Sequence, residues 1–142
     1  MNLSKNFTLE ELTVTSAHLP NTPTETEIAR LTALVQNVLQ PARELLGKPV
    51  RINSGFRSVD VNKAVGGADS SQHCLGEAAD LDCADNAQLF QLIRTHLPFD
   101  QLIWEGGNDT QPAWVHVSYK ANRKEILKMR VVGGKKKYVL IN

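Results

Sequence analysis

The protein has 142 residues, of which 42% are hydrophobic and 22% are charged, a composition that fits one globular domain and leaves little room for a second. The 16 Lys and Arg residues against 15 Asp and Glu residues give a formal net charge of +1, which argues against a nucleic-acid partner because no global basic field is present. No segment approaches the ~20 apolar residues that span a bilayer, and the N-terminus lacks the apolar run of a secretory signal, so we expect no membrane partner and synthesis in the cytoplasm without a signal peptide.

Capping patterns predict two helices in the first third of the chain. Thr8 and Glu11 have the Thr-x-x-Glu spacing of a capping box, which predicts a short helix over about 9–13. Thr24 and Glu27 repeat this spacing. We therefore expect a second helix to begin after Thr24.

The second helix is predicted to carry much of the core. Apolar residues recur at helical spacing between residues 28 and 46, and Gly47 follows them, so the helix should end there. Pro41 lies inside this pattern and has no backbone N–H to donate. The sequence therefore predicts a kink near Asn37.

The remainder of the chain has the pattern of a sheet with one crossing helix. Apolar or alternating runs bounded by turn residues predict six strands, over 50–53, 78–83, 99–104, 114–119, 126–132 and 138–141. The last two strands suggest a closing hairpin, and residues 86–96 have the pattern of an amphipathic helix. This order predicts an α+β fold in which N-terminal helices pack on a small, mainly antiparallel sheet that carries the functional site. One domain would span 1–142, with a helical lead over 1–47 and the sheet and functional site over 48–142.

Alternation along two strands suggests where the chemistry lies. Asp80 falls on the face of its strand opposite to the residues that would pack in the core, and His116 does so in the strand over 114–119. His73 lies in a polar turn that leads into the first of these strands. Two imidazoles and one carboxylate form the ligand set of a catalytic zinc with an open fourth position. For an arbitrary pair of histidines the more common case is a hydrogen-bonded residue without a metal, so the pattern alone supports zinc only weakly.

Two motifs add a family resemblance to this pattern. They are Ser71-x-His73-x-x-Gly76-x-Ala78-x-Asp80 and, about 35 residues later, Trp114-Val115-His116. They resemble the zinc D-Ala-D-Ala carboxypeptidase family of metallopeptidases, which includes phage endolysin-like peptidoglycan peptidases, and the similarity covers roughly 7–123. The resemblance implies one zinc ion bound by His73, Asp80 and His116. It also implies hydrolysis of an amide bond in a peptidoglycan stem peptide or cross-bridge through a metal-activated water.

Three further residues are candidates for substrate binding. The resemblance implies that Arg57 reaches the substrate carbonyl or carboxylate beside the metal, and a surface arginine is the alternative. Ser71 matches a family position that hydrogen-bonds substrate, although it could simply form the turn. Trp114 lies beside His116 by alternation and is expected to pack on a peptide or sugar unless it belongs to the core. Asp82, on the face of Asp80, is a candidate hydrogen-bond acceptor for a ligand histidine.

The position of the catalytic base departs from the family pattern. Many members have an acidic residue three positions before the second zinc histidine, and here that residue is Ala113. If Glu105 pairs with Trp114 in an antiparallel hairpin, its carboxylate shares the face of His116 and lies diagonally from it. We therefore predict Glu105 as the base, with Asp109 or neither residue as the alternatives. A register slip of one residue would turn Glu105 to the opposite face.

Two other functions stay open at this point. A non-catalytic, zinc-stabilised wall-binding or structural module on the same scaffold is favoured by Ala113, and a hydrolase of free dipeptides is a third interpretation. If the protein is a peptidase, we expect it to act on the bacterial cell wall as a phage lysin or virion-associated protein, as a monomer on a peptidoglycan peptide.

The basic C-terminal segment and the two cysteines each have more than one interpretation. The basic segment over 120–137 is either a solvated edge or a contact for an anionic polymer such as the wall. Cys74 and Cys83 lack the CxxC spacing of zinc or redox sites and are expected to be packed thiols, with a bridge between them not ruled out.

Overall fold

The computed structural model describes residues 1–141. Over these residues the chain forms five α-helices, α1 (Leu9–Leu12), α2 (Glu25–Leu34), α3 (Gln40–Leu46), α4 (Val59–Ala64) and α5 (Asn86–His96). Six strands follow the first three helices in the chain: β1 (Arg51–Ser54), β2 (Ala78–Asp82), β3 (Gln101–Glu105), β4 (Trp114–Ser118), β5 (Glu125–Val132) and β6 (Lys135–Leu140). In the part of the chain described, no helix has the length and apolar character needed to cross a membrane.

Both predicted capping boxes are present. The Thr8 hydroxyl accepts a hydrogen bond from the Glu11 N–H, and the Glu11 carboxylate accepts one from the Thr8 N–H. Thr24 and Glu27 make the same reciprocal pair at the start of α2. These bonds satisfy backbone donors that a helix leaves free at its N-terminus, which explains why both helices begin where the sequence predicted.

The interruption predicted from Pro41 is confirmed, and it takes the form of a wide turn. A π-helical turn, Val35–Leu39, separates α2 from α3. Pro41 cannot donate to the carbonyl of Asn37 four residues earlier, so the regular α-helical bonding is broken at this point. The Asn37 side chain donates instead to the Ala33 carbonyl at 2.8 Å.

The six strands form one sheet in the order β1-β2-β4-β3-β5-β6. Neighbouring strands are antiparallel except β3 and β5, which are parallel. The predicted α+β class with a mainly antiparallel sheet is confirmed. The predicted register of the β3–β4 pair is confirmed as well, because Glu105 lies opposite Trp114 and Ile103 lies opposite His116.

The core lies between one face of the sheet and the helices. Ala79 and Leu81 of β2 and the valines of β4 point into it, together with buried residues of α2, α3 and α5. Since side chains alternate along a strand, Asp80 and His116 point to the other face. That face is not covered by the helices, and it carries the polar residues discussed below.

Helix α4 was not predicted from the sequence. It begins at Ser58, whose hydroxyl accepts a hydrogen bond from the Val61 N–H at 3.2 Å. The helix has six residues and only two of them, Val61 and Asn62, are buried, so it has almost no periodic apolar pattern. Its role is positional, because it holds Asn62 against Arg57.

Gly76 is required where the turn of His73 enters β2. Its φ is +75°, and a Cβ built on it would lie 2.7 Å from the Glu27 carbonyl oxygen. We expect Gly76→Ala to lower the free energy of unfolding by about 2–4 kcal/mol, from left-handed strain of about 1–2 kcal/mol and a steric term of about 1–3 kcal/mol. Gly47 has a φ of +70° with nothing within 4 Å of the added Cβ, so Gly47→Ala isolates the strain. Urea denaturation that gave equal losses for both variants would refute the steric contribution.

Candidate metal centre

Three of the residues singled out in the sequence meet on the open face of the sheet. His73 lies in a 3-10 turn, Gln72–Leu75, while Asp80 and His116 lie opposite each other on β2 and β4. All three are buried, and one ligand atom from each lies within 4.8 Å of the others. The 3-10 turn and the pairing of β2 with β4 therefore bring the three side chains together.

Asp80 is at the centre of this cluster. Its Oδ2 lies 3.4 Å from Nε2 of His73 and its Oδ1 lies 3.1 Å from Nδ1 of His116. Burial raises the pKa of this carboxyl, but the charge of His73 and hydrogen bonds from both imidazoles outweigh it, so the pKa lies well below its usual value. Asp80 is consequently an ionised carboxylate.

The hydrogen bonds of the two histidines determine which ring nitrogens are free. Nδ1 of His73 lies 2.7 Å from the carbonyl oxygen of Gly55, and a carbonyl only accepts, so the proton is on Nδ1. Nε2 of His116 lies 3.4 Å from Oε1 of Gln72, and the same reasoning places the proton of His116 on Nε2. His73 Nε2 and His116 Nδ1 are then the ring nitrogens that face Asp80, and a metal ion would replace the protons through which they bond to its carboxylate.

A second layer of polar residues orients His116. The Gln72 amide donates from Nε2 to Oδ2 of Asp100 at 3.1 Å, which turns its oxygen toward His116. Asp100 is buried and accepts two further bonds from Arg123, at 2.8 and 3.0 Å. The sequence analysis missed Gln72, Asp100 and Arg123 as parts of this site. The one sequence signal was the place of Gln72 next to His73.

The cluster passes a test of fit for a metal ion. Two imidazole nitrogens and one carboxylate oxygen converge within 4.8 Å of one another, which is the donor set of a three-ligand zinc site with an open position. Close by, Oε1 of Glu105 is buried and has no hydrogen-bond partner among residues 1–141. A buried polar atom without a partner is costly, so this oxygen marks a place for a polar group that the described residues do not supply.

The predicted substrate-binding residues all line one open cleft. Its volume is about 660 Å³, and it contains the cluster together with Arg57, Ser71, Glu105 and Trp114. Ser71 also makes the turn contact that was its alternative, because its hydroxyl accepts a hydrogen bond from the His73 N–H at 3.2 Å. The indole Nε1 of Trp114 is buried without a partner in the described part of the chain.

Arg57 is held rigidly at the edge of the cluster. Its Nε donates to Ser54 at 3.0 Å and its Nη1 donates to Asn62 at 3.2 Å. Its Nη2 lies 3.4 Å from Asp80. Asn62, which the sequence analysis did not identify, thus fixes the plane of the guanidinium from α4.

Two expectations about acidic residues are corrected by the structure. Asp82 does not contact a histidine of the cluster: its carboxylate binds Arg51 and the side chain of Asn86 instead. Asp109, the alternative base, has a side chain that is 85% exposed and pairs with Lys128 and Arg130. It lies outside the residues that line the cleft.

Glu105 has the surroundings of a proton acceptor. It is buried at the C-terminal end of β3, and burial raises the pKa of its carboxyl above the usual value, with the charge of His116 opposing the rise. A carboxyl with a raised pKa is a stronger base once it is ionised.

The two cysteines are free thiols. Neither Cys74 nor Cys83 forms a disulfide, and burial raises the pKa of both thiols. The bridge that the sequence left open is not formed.

The Asp100–Arg123 pair has a pH-dependent effect on stability. Hydrogen bonds from Arg123 lower the pKa of Asp100 against the opposing effect of burial. The stabilisation is then complete above the pKa of an unfolded carboxyl, about 4, and disappears as the pH falls through the lower folded value. We expect Asp100→Asn to cost about 1–3 kcal/mol at pH 7. The difference in the free energy of unfolding between wild type and variant, measured by urea denaturation, should become smaller below pH 4. A difference that stayed constant down to pH 3 would contradict this assignment.

The fold and the cluster define a class: a helix-backed, mainly antiparallel sheet that presents a His-Asp-His metal site in an open cleft. Comparison with known families makes this specific. The Peptidase M15 family model matches residues 5–118, and the chain belongs to that family.

One curated relative supports the same membership. A zinc D-Ala-D-Ala carboxypeptidase from Streptomyces albus G is 40% identical over 95 residues, which are 64% of this chain and 37% of that protein. The chain therefore matches little more than a third of the relative's length. Together, the relative and the His-Asp-His cluster support one zinc ion.

Proposed function

We propose that the protein is a zinc metallopeptidase that hydrolyses an amide bond in a peptide of bacterial peptidoglycan. The observation that carries this proposal is the cluster of His73, Asp80 and His116 with the unpaired Glu105 carboxylate in the same cleft. Membership of the Peptidase M15 family and the name of the Streptomyces relative support it. Both a carboxypeptidase and an endopeptidase are consistent with these observations.

His73, Asp80 and His116 would hold the ion through His73 Nε2, His116 Nδ1 and a carboxylate oxygen of Asp80. When bound, zinc acts as a Lewis acid toward a carbonyl oxygen and lowers the pKa of water. The neutral imidazoles and the single carboxylate leave the loaded site with a charge of about +1. A positive site favours the negative charge that develops on the carbonyl oxygen during amide hydrolysis.

Glu105 would manage the protons of the reaction. As the water oxygen bonds to the amide carbon, the Glu105 carboxylate takes a proton from that water and then delivers it to the departing nitrogen. The C–N bond breaks as the nitrogen gains this proton, so the products are a carboxylic acid and an amine, and Glu105 returns to its ionised form. The remaining proton of the acid passes to the amine or to solvent, which leaves a carboxylate. Its position diagonal to His116, given by the β3–β4 register, supports this role.

Arg57, Ser71 and Trp114 would orient the peptide. The guanidinium of Arg57 stays charged and is already fixed by Ser54 and Asn62, so it can donate to a substrate carbonyl or carboxylate without further ordering. The Ser71 hydroxyl lines the same cleft, and the free indole N–H of Trp114 offers another donor.

Digestion of purified sacculi tests this function. The zinc-loaded protein should release peptide fragments that mass spectrometry identifies, and the fragments name the bond that is cut. A chelated sample should release none, and zinc added back should restore release. Intact sacculi that nevertheless bind the zinc-loaded protein would overturn the peptidase in favour of the wall-binding module, which Ala113 at the usual acidic position favours.

Two finer assignments also belong to this proposal. Cleavage of free D-Ala-D-Ala without attack on intact wall would instead indicate a dipeptide hydrolase. Action as a phage lysin or virion-associated protein, and as a monomer, rests on the family resemblance. A phage lysin should lyse bacteria only after the membrane has been disrupted. A monomer should show the mass of a single chain in solution.

A further inference from the structure

The C-terminal hairpin of β5 and β6 forms one wall of the cleft. Leu127 of β5 and Lys136 and Tyr138 of β6 line the cleft together with the residues of the metal centre. The Peptidase M15 match ends at residue 118, so the hairpin lies outside the matched part of the chain. Its contribution to the cleft is therefore a feature of this chain that the family match does not describe.

The register of the sheet aligns the hairpin with the proposed base. Trp114, Glu105, Met129 and Tyr138 lie opposite one another in successive strands, and directly opposite residues share a face. Two strand spacings separate Glu105 from Tyr138, or about 10 Å. Burial raises the pKa of the Tyr138 phenol, and the charge of Glu105 adds to this rise, as expected for two groups that face one cleft.

Lys136 is a cation without a partner in this wall. It lies two residues from Tyr138 on the same face of β6, and no ion pair or hydrogen bond of its ammonium occurs among residues 1–141. Three other cations of the segment do have partners, because Arg123 pairs with Asp100, and Lys128 and Arg130 both pair with Asp109. Lys136 lines the cleft without an ion pair to any described residue, and its positive charge acts on the Glu105 carboxylate across the cleft, where it opposes the rise in the pKa of Glu105.

Apolar side chains surround this charge. On the cleft face of the hairpin, Val131, Tyr138 and Leu140 are 62%, 49% and 67% exposed, which is unusual for apolar residues that are close together on a folded surface. An ammonium group beside exposed apolar residues is complementary to a peptide that carries both carboxylates and methyl groups. The peptides of bacterial peptidoglycan have this composition.

We infer that the β5–β6 hairpin extends the substrate cleft, with Lys136 binding a carboxylate of an acidic peptide and Tyr138 packing against the chain between that carboxylate and the bond that is cut. The inference rests on the proposed function for the identity of the peptide. An extended peptide rises about 3.4 Å per residue. The backbone of Lys136 lies two strand spacings across and two residues along from that of Glu105, about 12 Å away. The carboxylate that Lys136 binds therefore lies about three to four residues from the scissile amide.

Two synthetic peptides with the same scissile bond test the inference. One carries a carboxylate three residues from that bond, and the other carries an amide there. The zinc-loaded wild type should cleave the acidic peptide with a kcat/KM about tenfold higher, mostly through a lower KM, as one charge-assisted hydrogen bond would give. Lys136→Gln should remove this preference by raising the KM for the acidic peptide to that for the amide peptide. Lys137→Gln should keep it, because Lys137 lies on the opposite face of the same strand.

Binding measurements separate the inference from the proposed function. Calorimetry with zinc-loaded Glu105→Gln protein, with and without Lys136→Gln, follows the two peptides in the absence of turnover. Cleavage by the wild type with no preference for the acidic peptide, or with a preference that survives Lys136→Gln, would overturn the hairpin's role and leave the peptidase intact. Binding that depends on Lys136 without cleavage by the wild type would support the extended cleft and overturn the peptidase.

Discussion

Asp80→Asn should abolish zinc binding at micromolar concentrations of the metal and reduce peptide hydrolysis to background. Asp80 is the carboxylate that faces both His73 Nε2 and His116 Nδ1, and its replacement leaves two strong ligands. Changing a residue that merely orients a ligand costs about 10–100-fold in metal affinity, so the loss of a ligand should cost at least about 100-fold. Zinc stoichiometry by mass spectrometry or atomic absorption, with titration by a competing chelator, measures the change.

Asp82→Asn is the matched control for this experiment. Asp82 is two residues further along β2, on the same face, and binds Arg51 and Asn86 rather than the histidines. The Asp82→Asn protein should bind one zinc ion per chain, as the wild type does. Equal zinc affinity for the two variants would eliminate Asp80 as a ligand. A circular dichroism melt distinguishes loss of the ligand from loss of the fold.

Glu105→Gln should lower kcat by about 10²–10⁴-fold while one zinc ion stays bound. Glutamine keeps the shape of the side chain but cannot accept the proton of the attacking water. Because Glu105 is not one of the three clustered residues, the metal site should be unaffected. The measurement is turnover of a soluble peptide by each zinc-loaded protein, together with its metal content.

Asp109→Asn provides the comparison for the base. Asp109 is exposed and paired with Lys128 and Arg130, so its variant should retain nearly full turnover. If Glu105→Gln kept more than about a tenth of the wild-type kcat, or if Asp109→Asn were the inactive variant, Glu105 would not be the base. Loss of zinc from Glu105→Gln would point to a structural role instead.

Much of the site follows from local sequence patterns. Alternation alone places Asp80 and His116 on the face opposite the core, since each strand has a single apolar face. The placement of Glu105 needed one more assumption, the pairing of Glu105 with Trp114, and the structure has that register. The connection over 106–113 is held by hydrogen bonds from the Ala113 N–H to the Glu105 carbonyl and from the Asn108 N–H to the Gln111 carbonyl, which are consistent with this register.

Contacts between residues that are far apart in the sequence could not be predicted from local patterns. The contact between Gln72 and His116 joins residues that are 44 positions apart, and nothing in the sequence around either one specifies it. The parallel pairing of β3 with β5 was equally hidden, because alternation identifies the face of a strand and not its neighbour. For this reason the lysines of the C-terminal segment were interpreted as a solvated edge or polymer contact, although one of them, Lys136, lines the cleft.

Strand β6 forms one border of the sheet, and its outer backbone groups have no neighbouring strand. A border of this kind can recruit a strand from another molecule and start aggregation, particularly where Val139 and Leu140 are exposed. Three consecutive lysines, Lys135 to Lys137, occupy the first half of β6. If two copies paired along this border, these ammonium groups would be forced together, and their repulsion opposes the pairing. The lysine run thus protects the chain's colloidal stability, and the protection should weaken where salt screens the charges or high pH removes them.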